Sequence, residues 1–168
     1  MNNLFFDFTV DKTAKKVFIT RDFNAPLSLV WKAFTIAELL DQWVAPAPFT
    51  AKTKEMNFEE GGKRFYAMIS PEGVERWALQ QYIKINPTTS FSMFNVFTDA
   101  EANPEPAGSY WDYTFKEQNN GTQVQIEIYN ESFERMESLL EGFKIGFTMT
   151  LTKLDDVLNS FSNTRSEE

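Results

Sequence analysis

The segment SFERMESLLEGFKIGFTMTLTKLDDVLNSF, residues 132–161, has the most regular apolar spacing in the chain. At about 100° per residue its apolar side chains fall in one narrow stripe, which predicts a single amphipathic helix laid on a core. Ser132 is placed to cap the N-terminus, and polar residues at 159–163 mark the expected exit. At ~1.5 Å per residue the helix would be about 40 Å long, so it needs a large partner surface. The stripe consists of Phe133, Met136, Leu140, Phe143, Phe147, Leu151, Leu154, Leu158 and Phe161.

Between residues 49 and 129 the apolar spacing changes from helical to alternating, which predicts the surface that this helix needs. Turn signals rich in glycine, proline and asparagine divide the region into short runs. In the last run Val124, Ile126 and Ile128 point to one side and polar residues to the other. Short links between such strands predict an antiparallel meander with one buried face. The expected strands are residues 49–58, 63–70, 75–85, 90–98, 110–116 and 122–129.

The N-terminal part is expected to add a β-hairpin from residues 4–10 and 17–23, although residues 1–14 could instead form a loose arm. Pro26 is placed to begin a short helix, and a second helix is expected over residues 36–43. The order of these elements predicts one α+β domain over residues 1–168, with residues 162–168 as a disordered tail.

Composition limits the classes of function. The 168 residues carry a net charge of −8 and no basic segment, which argues against nucleic acid or a membrane surface as partner. The chain has no His and no Cys, which excludes a His-dependent triad and a thiol nucleophile. Nucleotide-binding fingerprints and carboxylate clusters are not visible either, so we expect no cofactor and no metal. With no membrane-spanning run and no signal-peptide pattern, we expect a cytoplasmic protein.

Several short motifs carry a resemblance to a known family. The runs RDFNAP (residues 21–26), VWKAFT (30–35) and LLDQW (39–43) are followed by Gly61-Gly62 and by Gly142-Phe143. In this order and spacing they resemble the proteins homologous to the C-terminal domain of the activator of heat-shock protein 90 ATPase. Those proteins belong to the START-like (SRPBCC) superfamily, and the resemblance covers about residues 15–158. It implies a helix-grip fold, in which a curved antiparallel sheet wraps around the long C-terminal helix and encloses a cavity for an apolar ligand.

This sequence differs from the pattern of that family at two points. Close relatives often carry a tryptophan pair at the end of the second helix, whereas here Trp43 is followed by Val44. The sequence also shows no counterpart of the N-terminal domain of the eukaryotic co-chaperone. We therefore do not expect chaperone activation to follow from the resemblance alone, although a chaperone contact stays open.

Seventeen Phe residues and a 15% aromatic content indicate either a thick core or an aromatic-lined cavity. Asn95 shares its alternation with Phe91, Met93 and Phe97, so a buried position would require partners for its amide. That amide could orient a ligand, or bond to nearby backbone or water. The candidate ligand-binding residues are Trp43, Phe58, Tyr66, Met68, Trp77, Tyr82, Phe91, Met93, Asn95, Phe97, Trp111, Tyr113, Phe143 and Phe147.

Three functions remain compatible with the sequence. The leading hypothesis is a non-catalytic module that binds an apolar or aromatic small molecule, as a monomer or weak homodimer. The first alternative is an enzyme of the polyketide cyclase or dehydratase type, for which an Arg in the pocket (Arg64 or Arg76) or a carboxylate such as Glu75 would be the sign. The second is a co-chaperone or oligomer surface, suggested by Ile145 and Met149 on the polar back of the helix.

Two glycines lie inside the predicted helix, at positions 142 and 146. Glycine there costs about 0.5–1 kcal/mol relative to alanine. The sequence therefore predicts that Gly146 is required because a neighbouring segment contacts the helix backbone and leaves no room for a side chain. The competing interpretation is that the glycine has no steric role and its cost in helix stability is simply tolerated.

Overall fold

The computed structural model describes the backbone of residues 4–167 and the side chains of residues 4–161. Within that range eight antiparallel strands form one sheet in the order β1-β2-β8-β7-β6-β5-β4-β3, so the hairpin pairs through β2 with the last strand. The strands are β1 (Phe6–Asp11), β2 (Lys16–Phe23), β3 (Thr50–Met56), β4 (Lys63–Ile69), β5 (Glu75–Asn86), β6 (Ser90–Thr98), β7 (Ser109–Gln118) and β8 (Gly121–Asn130). The helices are α1 (Leu27–Thr35), α2 (Ala37–Trp43) and α3 (Phe133–Glu167). The curved sheet and the long final helix confirm the predicted helix-grip fold.

The alternating runs of the sequence form the sheet as expected, since side chains two apart share a face. In β8, Val124, Ile126 and Ile128 are 1–3% exposed and face the core. In β2, Val17 and Ile19 do the same, and their register partners are Ile128 and Ile126. The N-terminal segment is therefore a paired strand over Phe6–Asp11, while residues 1–3 lie outside the described range.

The two short helices follow Phe23 because Asn24-Ala25-Pro26 ends the strand. Pro26 is the N-cap of α1, and its carbonyl accepts the amides of Leu29 and Val30 at 3.0 and 3.1 Å. Val30 and Phe34 of α1 are buried against the sheet. These helices therefore close one end of the space between the sheet and α3.

Helix α3 is divided into two halves with different environments. Its N-terminus is capped as predicted, because the Ser132 hydroxyl accepts the Arg135 amide at 3.2 Å. In the second half Leu151, Leu154 and Leu158 are at most 2% exposed and belong to the main core. In the first half the stripe side chains other than Met136 are half-buried or exposed, because a cavity lies beneath them.

The ends of α3 depart from the sequence-based expectation. The exit expected at residues 159–163 lies inside the helix, which is described as far as Glu167. Phe133 and Phe161, the outer members of the stripe, are 45% and 37% exposed, because the helix extends beyond the surface that the sheet offers. The side chains of the expected tail at 162–168, and the backbone of residue 168, lie outside the described residues.

The glycines of α3 are less constrained than predicted. A Cβ built on Gly146 would lie 3.6 Å from Cγ of Pro46, which is an ordinary van der Waals contact. A Cβ built on Gly142 would meet no described atom within 4 Å. Gly146 is therefore touched by a loop, as expected, but it is not crowded.

Candidate functional site

A cavity of about 490 Å³ lies between the inner face of the sheet and the first half of α3. Strands β4 to β8 form its wall, α1 and α2 close one end, and the loop of residues 107–109 lies at the other. Its volume falls within the ~300–1,000 Å³ range of small-molecule pockets. The arrangement of elements therefore creates a space that the side chains of the core do not fill.

Aromatic rings make up much of the cavity wall. Phe91 and Tyr113 are stacked with centroids 4.4 Å apart, and Tyr113 stacks in turn on Trp111 at 5.9 Å. Trp111 also meets Phe143 and Phe147 of α3 at 5.9 and 6.0 Å. The sheet and the helix are thus joined beside the cavity by ring contacts, edge-to-face for Phe143 and tilted for Phe147, which present an apolar surface.

A chain of polar side chains crosses the wall of the cavity. Arg64, which is 1% exposed, donates from Nη2 to Asp41 Oδ1 at 3.1 Å and from Nε to Thr53 Oγ1 at 3.1 Å. Its Nη1 donates to Gln80 Oε1 at 3.3 Å, and Gln80 Nε2 donates to Asn95 Oδ1 at 3.3 Å. This polar chain of hydrogen-bonded side chains therefore runs from α2, through β3, β4 and β5, to β6.

Three phenols lie near this chain, and burial keeps them protonated. Burial raises the pKa of Tyr66, whose ring stacks under the Arg64 guanidinium at 3.8 Å, even though that cation acts in the opposite direction. Burial raises the pKa of Tyr82 to about 12 and holds the pKa of Tyr113 well above its ordinary value. At neutral pH these groups can therefore donate or accept hydrogen bonds, but they supply no anionic base.

An ionic clamp stands at the rim of the cavity. Glu105, in the loop between β6 and β7, bonds Arg76 Nη1 of β5 and Arg135 Nη2 of α3, both at 2.6 Å. Hydrogen bonds from the two arginines lower the pKa of Glu105. Arg76 also lies over the Phe97 ring at 4.1 Å. The clamp therefore links the sheet to the start of the helix beside the cavity.

Most of the residues selected from the sequence line the cavity. They are Trp43, Tyr66, Met68, Tyr82, Phe91, Met93, Asn95, Phe97, Trp111, Tyr113, Phe143 and Phe147. Trp43 also has a structural role, because its indole Nε1 donates to the Ala33 carbonyl at 2.9 Å and so ties α2 to α1.

Phe58 and Trp77 lie elsewhere. Strand β3 ends at Met56, and Phe58 packs in the core against Trp31 and Tyr82 with centroids 5.9 and 4.8 Å apart. The strand expected as far as residue 58 ends two residues earlier, so Phe58 lies in the core beside the cavity-lining Tyr82 and is not itself part of the cavity wall.

Trp77 points to the opposite face of the sheet. There it stacks on Phe65 at 4.7 Å, with Lys54 Nζ 5.8 Å from its ring. Its Nε1 is buried and has no hydrogen-bond partner among the described residues. The sequence contained the signal for this correction, since Trp77 and Tyr82 are five residues apart and a regular strand places such residues on opposite faces.

Residues 24–159 match the sequence pattern of the family described as "Activator of Hsp90 ATPase homolog 1-like protein". This match covers most of the chain. The chain belongs to this family. A search of curated proteins gave no significant match.

Solved structures share the fold of this family member. A protein of Mycobacterium smegmatis has 24% identity and a TM-score of 0.85, with 94% of this chain and 99% of that chain covered. A protein of Arthrobacter aurescens has 24% identity and a TM-score of 0.86, with 92% and 91% covered. The AHSA1 protein of Silicibacter pomeroyi has 18% identity and a TM-score of 0.70, with 86% and 97% covered.

Two polar residues of the site were not identified from the sequence of this family member. Asp41 is one of two polar residues at the end of α2, and nothing local indicates that it meets Arg64 of β4. Gln80 could have been found, because it is two residues from Tyr82 and therefore shares its face. Of the two arginines that the sequence offers as a possible sign of an enzyme, Arg64 lines the cavity, whereas Arg76 stands at the rim.

Two further features are absent from the described part of the chain. No three carboxylates there come together in a way that could hold a metal ion. No described helix is both long and apolar enough to cross a membrane.

Proposed function

We propose that this protein binds an apolar or aromatic small molecule in the cavity between the sheet and α3. The observation that carries the proposal is the cavity itself, which has a volume of about 490 Å³. Its aromatic wall consists of Phe91, Trp111, Tyr113, Phe143 and Phe147. A ligand whose apolar surface is removed from water against these rings gains affinity from its burial.

The groups around the cavity favour binding over catalysis. Among the described residues that line it there is no Asp or Glu, and Glu75, which had been considered as an acid–base group, is exposed at the start of β5. The tyrosines are held protonated by burial. A general base poised near neutral pH is therefore not among the lining residues.

One observation supports the cyclase-like alternative, namely the buried Arg64 beside three phenols. Such donors could polarise a carbonyl oxygen of a reactive polyketone. Incubation with a linear aromatic polyketone, followed by mass spectrometry of the products, tests it. A product formed faster than in buffer, and lost in Arg64→Met, would support catalysis; the same product distribution with and without protein would exclude it for that substrate.

Tryptophan fluorescence tests the binding proposal. Trp111 lines the cavity, whereas Trp77 lies on the outer face of the sheet. In a panel of uncharged polycyclic aromatics, sterols and fatty acids, we expect at least one compound to quench fluorescence and raise the melting temperature. Trp111→Phe should reduce the quenching to the part that comes from Trp43, which also lines the cavity, whereas the matched control Trp77→Phe should retain it.

The binding proposal is wrong if no compound changes fluorescence or melting temperature. Equal loss of quenching in both variants would place the bound compound outside the cavity.

The interaction alternative rests on the outer side of α3. Ile145 and Met149 are 61% and 40% exposed there. Single exposed apolar residues are common on monomers, so this supports the idea only weakly. Light scattering after size-exclusion chromatography, repeated on Ile145→Glu, tests it. A mass above the monomer in the parent that Ile145→Glu removes would support self-association, and monomers in both would exclude it.

A further inference from the structure

The direction of the hydrogen bonds in the polar chain is fixed at one end by Arg64. A guanidinium only donates, so the side-chain oxygen of Gln80 must face Arg64, as it does with Nη1–Oε1 at 3.3 Å. The Gln80 amide nitrogen then faces the next residue and donates to Asn95 Oδ1 at 3.3 Å. Gln80 and Asn95 are direct register partners on β5 and β6, which holds the two amides side by side.

The same chain fixes what Asn95 presents to the cavity. Its oxygen is occupied by Gln80, so its Nδ2 amine is left to point away from that bond. Asn95 is half-buried and lines the cavity, and its Nδ2 has no hydrogen-bond partner among the described residues. This amine is open to the cavity in the free protein, but a ligand that fills the cavity shields it from water. A shielded donor without a partner costs about 1–3 kcal/mol, so an oxygen acceptor on the ligand would be favoured at this point.

The buried cation among the described lining residues is paired, whereas the other cation stands at the rim. Arg64 is bonded to Asp41 at 3.1 Å, and Arg135 shares the single carboxylate of Glu105 with Arg76, each at 2.6 Å. An anionic ligand whose charge lay at Asn95 would therefore lose its hydration and meet, inside the cavity, a cation that is already compensated. A neutral acceptor avoids that loss and still satisfies the amine.

We propose that the cavity selects an uncharged, mainly apolar molecule bearing a carbonyl oxygen, which accepts a hydrogen bond from Asn95 Nδ2. This inference rests on the proposed function and names its ligand class. The apolar body packs on the rings of Phe91, Trp111 and Tyr113, while the carbonyl oxygen lies at β6. Gln80 and Arg64 act as positioning residues, because they set which end of the Asn95 amide faces the ligand.

Four probes with one ring skeleton test this selection by calorimetric titration: fluorene, 9-fluorenone, 9-fluorenol and fluorene-9-carboxylate. They differ at one carbon, which carries no acceptor, a carbonyl, a hydroxyl or an anion. We expect 9-fluorenone to bind about five- to tenfold more tightly than fluorene, as for one net hydrogen bond, and the carboxylate to bind most weakly.

The variant Gln80→Glu tests the direction of the chain. The introduced carboxylate only accepts, so Asn95 must turn its amine towards it and present its oxygen to the cavity. The preference should invert: 9-fluorenone should fall to the level of fluorene or below, and 9-fluorenol, which can donate, should become the tightest probe. Gln81→Glu is the matched control, since Gln81 is the exposed neighbour in β5, and it should keep the parent order.

Asn95→Leu gives a second test if Gln80→Glu does not fold. It removes both ends of the amide at similar volume, so 9-fluorenone and fluorene should bind equally. Binding of all four probes to the parent with no preference for 9-fluorenone, or an unchanged preference in Gln80→Glu or Asn95→Leu, would overturn this inference while leaving the proposed function standing. If none of the four probes binds the parent protein, this inference fails, and the proposed function fails with it only if the wider panel is also without effect.

Discussion

Arg64 of β4 and Asp41 of α2 form an ion pair, Nη2 to Oδ1 at 3.1 Å, whose two members have very different access to water. The side chain of Arg64 is 1% exposed and that of Asp41 is 26% exposed. Removing the carboxylate leaves a buried cation, whereas removing the cation leaves a carboxylate that water and Thr53 can still stabilise. Loss of the Asp41 carboxylate should therefore destabilise the folded protein more than loss of the Arg64 cation.

We expect Asp41→Asn to lower the free energy of unfolding by about 2–4 kcal/mol and Arg64→Met by about 1–2 kcal/mol. Urea unfolding of the two variants and of the double variant measures both losses and their coupling. A larger loss for Arg64→Met than for Asp41→Asn would contradict the assignment of Arg64 as the desolvated partner.

Alanine at Gly142 should stabilise the protein. The position is helical, and an added Cβ would meet no described atom within 4 Å. We expect the free energy of unfolding to rise by about 0.4–1 kcal/mol. Gly146→Ala should behave similarly, because its Cβ would make an ordinary 3.6 Å contact with Pro46. Thermal melts of both variants check this, and a lowered midpoint for Gly146→Ala alone would show that the loop crowds the helix after all.

Hydrogen exchange should separate the two halves of α3. Leu151, Leu154 and Leu158 anchor the second half in the core, while the first half covers the cavity. Local opening needs less free energy where fewer apolar contacts are lost, so amides of residues 137–147 should exchange on the order of tenfold faster than those of residues 151–158. Mass-spectrometric exchange measures this. Uniform protection along both segments would contradict it.

Acid should weaken the clamp at Glu105. Its pKa is lowered in the folded protein by Arg76 and Arg135, so the folded state binds fewer protons than the unfolded one around pH 4.5, the ordinary value of the group. The resulting stabilisation is present above that pH and is lost as the pH falls through the lowered pKa. Glu105→Gln should therefore melt at a lower temperature than the parent at pH 7, and the two melting curves should converge in acid. A constant difference between pH 7 and pH 3 would assign the loss to something other than the carboxylate charge.

The order of elements could be predicted because it depends on local periodicity. The alternation of Val124, Ile126 and Ile128 identified β8, and the stripe ending at Phe161 identified α3. Asn95 could be placed on the inner face because it shares the alternation of Met93. These features need no knowledge of which strands are neighbours.

The polar chain could not be predicted, because it depends on long-range pairing. Arg64 reaches Thr53 only through the register of β4 with β3, which shifts between Thr53 and Glu55. Nothing in the sequence marks that irregularity. The position of α2 against this edge of the sheet then decides that Asp41 is the counter-charge. The position of Phe58 beside the cavity, and not in its wall, could not be predicted for a related reason, since alternation does not show where a strand stops.

The division of α3 also bears on how such a protein can change over generations. Substitutions at Leu151, Leu154 or Leu158 act on the shared core, so selection for a folded chain acts against them whatever the ligand is. Substitutions along the first half alter the shape of the cavity, where the stripe side chains other than Met136 are half-buried or exposed. Under the proposed function, a lineage can therefore change its ligand through the first half of the helix while the second half keeps the scaffold unchanged.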